Sequence, residues 1–170
     1  MPSSYSFDVV SEFDQQELVN AIDQLRREVD QRYDLKDSKT KIDIKEDELS
    51  IVSLSDMTIE SVKDILLQKA TKRNLSLKIF DFQKIETIGG NMVMQIVKLK
   101  KGLSQEISKK LSKLVRDNMK KVTASIQGDS LRITGKNKDD LQAAINLIKK
   151  QEEELDIALQ FQNYRKFVNI

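Results

Sequence analysis

The sequence predicts an α+β fold made of two similar halves, and three observations lead to this expectation. Some segments alternate apolar and polar residues at strand spacing, whereas others repeat apolar residues at helical spacing. The order of these segments in the first half of the chain recurs in the second half. The chain of 170 residues is also 39% hydrophobic, which is enough to build two small cores.

The first half begins with a predicted strand over residues 5–10, which are rich in aromatic and β-branched side chains. Asp14 and Glu17 have the spacing of a capping box, and they open a helix that extends to about Arg32. The other elements of this half are the two strands of a hairpin, a second helix and a strand, over residues 41–45, 48–54, 55–73 and 75–82. The predicted order is therefore βαββαβ.

Residues 87–91, which include Gly89-Gly90, form the predicted linker, so the expected domains are residues 1–88 and 89–170. The pattern then starts again with a strand, a helix, two hairpin strands, a helix and a closing strand, over residues 93–100, 104–115, 122–127, 130–134, 141–148 and 157–161. Both halves thus have the split βαβ order of ferredoxin-like and RNA-recognition-like domains. Each should be a four-stranded antiparallel sheet with two helices on one face.

The composition excludes the commonest catalytic designs. The chain has no cysteine and no histidine, so it offers no disulfide, no thiol nucleophile and no imidazole base or metal ligand. We therefore expect no cofactor, no metal and no enzymatic activity. No apolar run approaches the roughly 20 residues that cross a bilayer, and residues 1–10 do not have the features of a signal peptide. The expected location is the cytoplasm, with no membrane partner.

Charge is distributed unevenly along the chain. Residues 1–85 carry a net −4 and residues 86–170 a net +6, and the segment 90–151 alone carries 14 Lys/Arg against 5 Asp/Glu. Such a segment could attract polyphosphate or an RNA backbone through counterion release. Four of these basic residues, Lys109, Lys113, Arg116 and Lys120, also lie opposite the apolar stripe of the predicted helix after residue 104, where solvated lysines normally occur. Both interpretations stay open at this point.

Four aromatic residues lie on or beside predicted strands, where a base could stack on them or where they could pack in the core: Tyr5, Phe7, Phe161 and Tyr164. Gly135-Lys136 precedes the last helix, whose N-terminus could attract phosphate. However, Asn137 can cap that helix, and Asp139 with Asp140 already complement its dipole. The chain contains neither GxxxxGK[ST] nor GxGxxG, so a P-loop or dinucleotide site is not supported.

Several segments are specific enough to indicate a family. They include Ser6-Phe7-Asp8-Val9-Val10-Ser11-Glu12, Arg32-Tyr33-Asp34-Leu35-Lys36 with Ser38, Lys100-Lys101-Gly102, Ile126-Gln127-Gly128-Asp129, Leu131-Arg132-Ile133-Thr134-Gly135-Lys136, Asp139-Asp140-Leu141-Gln142, and Leu159-Gln160-Phe161 with Asn163-Tyr164-Arg165. Over nearly the whole chain these segments resemble the YajQ family of bacterial nucleotide-binding proteins. The chain departs from the family pattern at Asn74, Met94, Lys138 and Lys166, of which Met94 stands where an arginine is common.

The resemblance implies two ferredoxin-like domains whose first strands are exchanged between the halves. It also implies non-enzymatic binding of purine nucleotides, cyclic di-GMP or tRNA, with a regulatory role. The competing hypothesis is a protein-interaction adaptor that acts on a transcription regulator without its own nucleotide ligand, and an unrecognised enzyme is a third.

Among the matched positions we select nucleotide-binding candidates by their chemistry. Cationic donors for phosphate or base edges are Arg32, Lys36, Arg132, Lys136 and Arg165, and candidate stacking surfaces are Phe7, Phe161 and Tyr164. Exchange of the first strands would place residues 5–10 in one sheet with residues 157–161. Arg32 and Lys36 would then be expected to form a composite cleft with Arg132 and Arg165.

Overall fold

A computed structural model of the chain describes residues 3–168, and it describes the side chains of residues 4–166. Within this range the fold is α+β, with two antiparallel sheets and helices, as the sequence predicts. The strands are β1 Ser3–Val10, β2 Lys41–Ile44, β3 Glu48–Ser53, β4 Phe80–Phe82, β5 Glu86–Ile88, β6 Met92–Leu99, β7 Val122–Gln127, β8 Ser130–Gly135 and β9 Gln160–Val168. The helices are α1 Gln15–Gln31, α2 Asp56–Lys72, α3 Gln105–Asn118, α4 Lys138–Lys149 and α5 Gln151–Leu155.

The described residues form two compact units. The first, which we call the terminal unit, combines residues 3–12 with residues 101–168, and the second, the central unit, consists of residues 13–100. None of the helices within residues 3–168 is both long enough and apolar enough to cross a membrane.

The sheet of the terminal unit has the strand order β7-β8-β1-β9, with every neighbouring pair antiparallel. Strand β1 lies inside this sheet although it is far from β8 and β9 in sequence. Phe7 and Val9 of β1 have no exposed surface, and they belong to one core cluster with buried residues of α3 and α4. Leu111 and Val115 of α3 complete this side of the core, together with residues of α4. The core of the terminal unit therefore depends on the first strand of the chain.

The sheet of the central unit has the order β2-β3-β6-β4, and β5 pairs with β6 beside this path. Helices α1 and α2 pack on each other and contribute the apolar stripes that the sequence predicts. The buried residues are Leu18, Ala21, Ile22, Leu25 and Val29 from α1, and Ile59, Val62, Ile65, Leu66 and Ala70 from α2.

The cap of α1 lies at the predicted residue, but its hydrogen bonds differ from those of the predicted capping box. Asp14 caps α1 by accepting from the amides of Gln16 and Glu17. The predicted reciprocal bond from Glu17 is wrong, because the Glu17 carboxylate accepts from Asn20 and Arg73 instead. The true capping box is at α2, where Ser55 and Thr58 satisfy each other's backbone amides.

Residues 75–82 were expected to form one strand, but only residues 80–82 do. A short 3₁₀ turn occupies Leu77–Ile79, and the Ser76 hydroxyl caps it by accepting from the amide of Lys78. Asn74 adopts the left-handed conformation, with φ of 60°, where α2 ends. A serine cap and a left-handed asparagine are typical of a turn, so they shorten the strand.

The linker expected at residues 87–91 is a hairpin. Strand β5 pairs with the start of β6, with Ile88 opposite Met92, and Gly90 and Asn91 supply the positive φ angles of the turn. The closing strand also differs from the expected residues 157–161, because it begins at Gln160 and continues to Val168. Residues 157–159 are buried core residues outside the strand, and the short helix α5 was not predicted.

Candidate functional site

A groove of about 430 Å³ opens in the terminal unit where α4 faces strands β1 and β9. We call it the tyrosine groove. Its lining consists of Tyr5 and Ser6 from β1, Lys138, Leu141, Gln142 and Ile145 from α4, and Tyr164, Arg165 and Lys166 from β9. The volume lies within the range of pockets that hold small molecules.

Two tyrosine rings and two lysine ammoniums give the groove its chemistry. The Nζ atoms of Lys138 and Lys166 each lie 5.8 Å from the centre of the Tyr5 ring, which is within cation–π range. Tyr164 is 62% exposed, so most of its surface is available to a ligand. Leu141, buried in α4, supplies an apolar side chain. The groove thus combines aromatic and apolar surface with positive charge.

Strand register and helix capping place these side chains. Tyr5 is opposite Gly135 of β8 on one side and Lys166 of β9 on the other. Asn137 caps α4 by accepting a 2.8 Å hydrogen bond from the amide of Asp140, which fixes Lys138 as the first helical residue. At Gly135, an added Cβ would lie 3.0 Å from a methyl of Val122, so glycine allows close packing there.

A second polar cluster lies in the same sheet around Asp8, which is 6% exposed. One Asp8 oxygen accepts from Nε of Arg132 at 3.0 Å, and the other accepts from Nη2 of Arg132 at 3.4 Å and from Nδ2 of Asn163 at 3.0 Å. These hydrogen bonds, with the Arg132 bond the largest cause and the charge of Arg165 a smaller one, hold the pKa of Asp8 below its ordinary value. The cluster is therefore a charge-assisted network that ties β8 and β9 to β1.

The candidates of the terminal unit occupy different environments. Phe7 has no exposed surface, and Phe161 packs partly buried against it, with ring centres 5.9 Å apart in an edge-to-face arrangement. Arg132 is engaged by Asp8, and Lys136 is exposed between β8 and α4. Tyr164 and Arg165 both line the tyrosine groove. The structure thus brings two of the six candidates in this unit into the groove lining.

The remaining candidates, Arg32 and Lys36, belong to the central unit. Arg32 ends α1 and makes a two-pronged ion pair with Asp34, with distances of 2.8 and 2.9 Å, which raises the pKa of its guanidinium. The Lys36 ammonium lies 5.7 Å from the centre of the Tyr33 ring, and Tyr33 is 89% exposed.

Of the nine residues that line the groove, the sequence selects only Tyr164 and Arg165, and it misses the other aromatic and charged ones, Tyr5, Lys138 and Lys166. The sequence marks Tyr5 only as one of four aromatic residues on predicted strands, and Lys138 and Lys166 only as departures from a family pattern. A signal was present for Lys166, which lies two residues after Tyr164, but not for Lys138, which has no aromatic residue near it in the sequence. Their convergence on one ring depends on the pairing of β1 with β9, which sequence spacing does not show.

In comparisons with known proteins, the chain is similar to proteins that are named as nucleotide-binding proteins. Residues 5–165 match the family model described as "Nucleotide-binding protein YajQ-like". A protein named as a nucleotide-binding protein from Prochlorococcus marinus (strain NATL2A) is 99% identical over 165 residues, which is 97% of this chain and all of that protein. Proteins named in the same way from two Synechococcus strains, CC9605 and JA-3-3Ab, are 70% and 57% identical over the same extent.

Proposed function

The chain belongs to the YajQ family, and we propose that it binds a nucleotide in the tyrosine groove without transforming it. The observation that carries the proposal is the convergence of the Lys138 and Lys166 ammoniums on a groove lined by Tyr5 and Tyr164. The relatives' names as nucleotide-binding proteins support the same ligand class.

Each part of a nucleotide has a suitable partner in this groove. A base can stack on an exposed tyrosine ring because every base has a π-face. The phosphates need positive charge, which the ammoniums of Lys138 and Lys166 supply beside the Tyr5 ring. The Gln142 amide can both donate and accept a hydrogen bond with a base edge or a sugar hydroxyl. Purine nucleotides and cyclic di-GMP are therefore the first ligands to examine.

The phosphate partner in this proposal is a side-chain ammonium rather than the N-terminus of α4. Asn137 already accepts from the Asp140 amide, and Asp139 and Asp140 place negative charge in the first turn of the helix. These carboxylates complement the helix dipole and oppose an anion placed on the axis. Lys138 can reach the groove from the side of the helix, where it already approaches Tyr5.

We infer further that each unit is a ferredoxin-like domain and that the halves, residues 1–88 and 89–170, exchange their first strands. Strand order supports this inference, because β1 lies between β8 and β9 and β6 lies between β3 and β4. In each sheet the strand at the first position of the βαββαβ order comes from the other half of the sequence. The exchange joins the two terminal segments of the chain in one sheet that carries the groove.

Isothermal titration calorimetry tests the proposed function. The full chain is titrated with GTP, AMP, cyclic di-GMP and a short single-stranded RNA, and then compared with Tyr164→Ala. Since stacking of one base on an aromatic ring contributes about 1–3 kcal/mol, we expect Tyr164→Ala to weaken binding of the tightest ligand by roughly 5- to 150-fold.

The matched control is Tyr33→Ala. Tyr33 is also an exposed tyrosine beside a lysine, but it lies in the central unit. The Tyr33→Ala substitution should leave the dissociation constant of the nucleotide unchanged within about twofold. Equal weakening by both substitutions, or no binding of any nucleotide to the full chain, would rule out the tyrosine groove as a nucleotide site.

A further inference from the structure

Strand β9 has one residue more than β1 in the stretch where the two strands pair beside the tyrosine groove. Ser6 of β1 is opposite Arg165, and Asp8 is opposite Gln162, so two residues of β9, Asn163 and Tyr164, oppose the single residue Phe7. Asn163 has a φ of 58°, in the left-handed region. This arrangement is a β-bulge, which shifts the alternation of all later side chains on the strand.

The aromatic contacts show the effect of the shift. Phe161 and Tyr164 are three positions apart, so a regular strand would point them to opposite faces of the sheet. Both rings nevertheless lie 5.9 Å from the ring of Phe7, which faces the helices in the core. The extra residue thus returns Tyr164 to the face of the sheet that carries α4.

The same shift reaches Lys166. With regular alternation from Phe161, even-numbered residues of β9 would point away from the helices. Beyond the bulge, Lys166 is instead opposite Tyr5, and its ammonium lies 5.8 Å from the Tyr5 ring. Tyr5 packs against the core on the helix side. Tyr164 and Lys166 thus both owe their place in the groove to the bulge.

Two features hold the bulge in place. Asparagine adopts the left-handed conformation more readily than most residues, because its short polar side chain can hydrogen-bond locally. Here its Nδ2 donates a 3.0 Å hydrogen bond to Asp8, whose carboxylate is fixed in turn by Arg132. The extra residue of β9 is therefore bound through its side chain to the neighbouring strand β1.

We propose that Asn163 is a positioning residue for nucleotide binding, since its bulge, anchored on Asp8, turns Tyr164 and Lys166 into the groove. The inference rests on the proposed function for its ligand, but its structural part can be measured without one. This role is to set which face of the sheet the side chains after residue 163 point to. Any residue that keeps the left-handed backbone conformation at position 163 should therefore retain most of the effect.

Three variants of the full chain separate the possibilities. Asn163→Gly keeps access to the left-handed region but loses the Asp8 bond, whereas Asn163→Val disfavours that region through its branched Cβ. The control is Asn91→Val, which applies the same strain at φ of 58° in the β5–β6 turn of the central unit. Two quantities are measured: NMR cross-relaxation between the rings of Phe7 and Tyr164, and the dissociation constant of GTP.

We expect Asn163→Val to lose the Phe7–Tyr164 cross-peaks and to weaken GTP binding at least tenfold, while Asn163→Gly keeps the cross-peaks and binds within about threefold of the parent. Asn91→Val should change neither quantity. The proposal is overturned if Asn163→Val keeps the cross-peaks, or if Asn91→Val weakens binding equally. If the unaltered chain binds no nucleotide, the proposed function fails, and the cross-peaks alone still decide whether the bulge orients Tyr164.

Discussion

Single residues show why a candidate chosen for its charge can have a different role in the fold. Arg132 was selected as a phosphate donor, yet its guanidinium makes two hydrogen bonds to Asp8, which is almost fully buried. A nucleotide phosphate would have to compete with that carboxylate. Tyr164 and Lys166, in contrast, lie in a groove where none of the lining residues that the structure describes carries negative charge. Whether a cationic side chain of this protein can bind a phosphate thus depends on whether a carboxylate of the same chain already pairs with it.

The Asp8 cluster predicts a dependence of stability on pH. The pKa of Asp8 is lowered in the folded state from its ordinary value of 3.8. Because folding favours the ionised form, its contribution is fully present above pH 3.8 and is lost as the pH falls through the lowered folded value. Asp8→Asn removes this contribution. We therefore expect the difference in melting temperature between the parent and Asp8→Asn to be largest near neutral pH and to shrink below about pH 4.

Thermal unfolding followed by circular dichroism between pH 2.5 and pH 7 measures this difference. Asp139→Asn is a suitable control, since Asp139 is exposed at the start of α4. A difference between parent and Asp8→Asn that stays constant over the whole pH range would contradict the assigned role of the Asp8 carboxylate.

At the scale of elements, helix starts were predictable because their caps are local. Asp14, Ser104 and Asn137 each cap the helix that the sequence assigned to them. The ends of strands were less predictable, since they depend on partners distant in sequence. Residues 86–88 form a strand only because β6 pairs with them, and β9 extends to Val168 because β1 provides a partner along its whole length.

The capping box of α2 gives a prediction at this scale. Ser55→Ala removes the side chain that accepts from the Thr58 amide, and loss of such a cap costs about 1 kcal/mol. We expect the free energy of unfolding in urea to fall by about that amount. Ser61→Ala, in the middle of the same helix, should change it by less than about 0.5 kcal/mol. Equal effects of the two substitutions would mean that the cap does not stabilise α2.

At the scale of the whole molecule, the order of elements was readable from the sequence, but the site was not. The repeated βαββαβ pattern depends on periodicity, and it yields the two antiparallel sheets. The groove depends on a bulge at Asn163 and on the pairing of Tyr5 with Lys166 across most of the chain. No local pattern encodes that register, so composition could indicate only that the second half is basic.

Because β1 lies in one sheet with β7, β8 and β9, the structure predicts whether the second half of the chain can fold alone. Residues 90–170 without β1 should fold poorly, because Phe7 and Val9 are fully buried in the core of the terminal unit. A chain that joins residues 1–12 to residues 101–170 through a flexible linker restores that strand and should fold cooperatively. Urea unfolding of both chains checks this. Cooperative unfolding of residues 90–170 alone would show that β1 is dispensable.

The most direct test of a nucleotide site in the tyrosine groove is a titration of the full chain followed by ¹H–¹⁵N NMR. The ligand is the nucleotide that binds most tightly in calorimetry. The account predicts the largest shift changes at the amides of residues 5–6, 138–145 and 164–166, which line or flank the groove. Changes concentrated instead within residues 13–100, for example around Arg32 and Lys36, would contradict it.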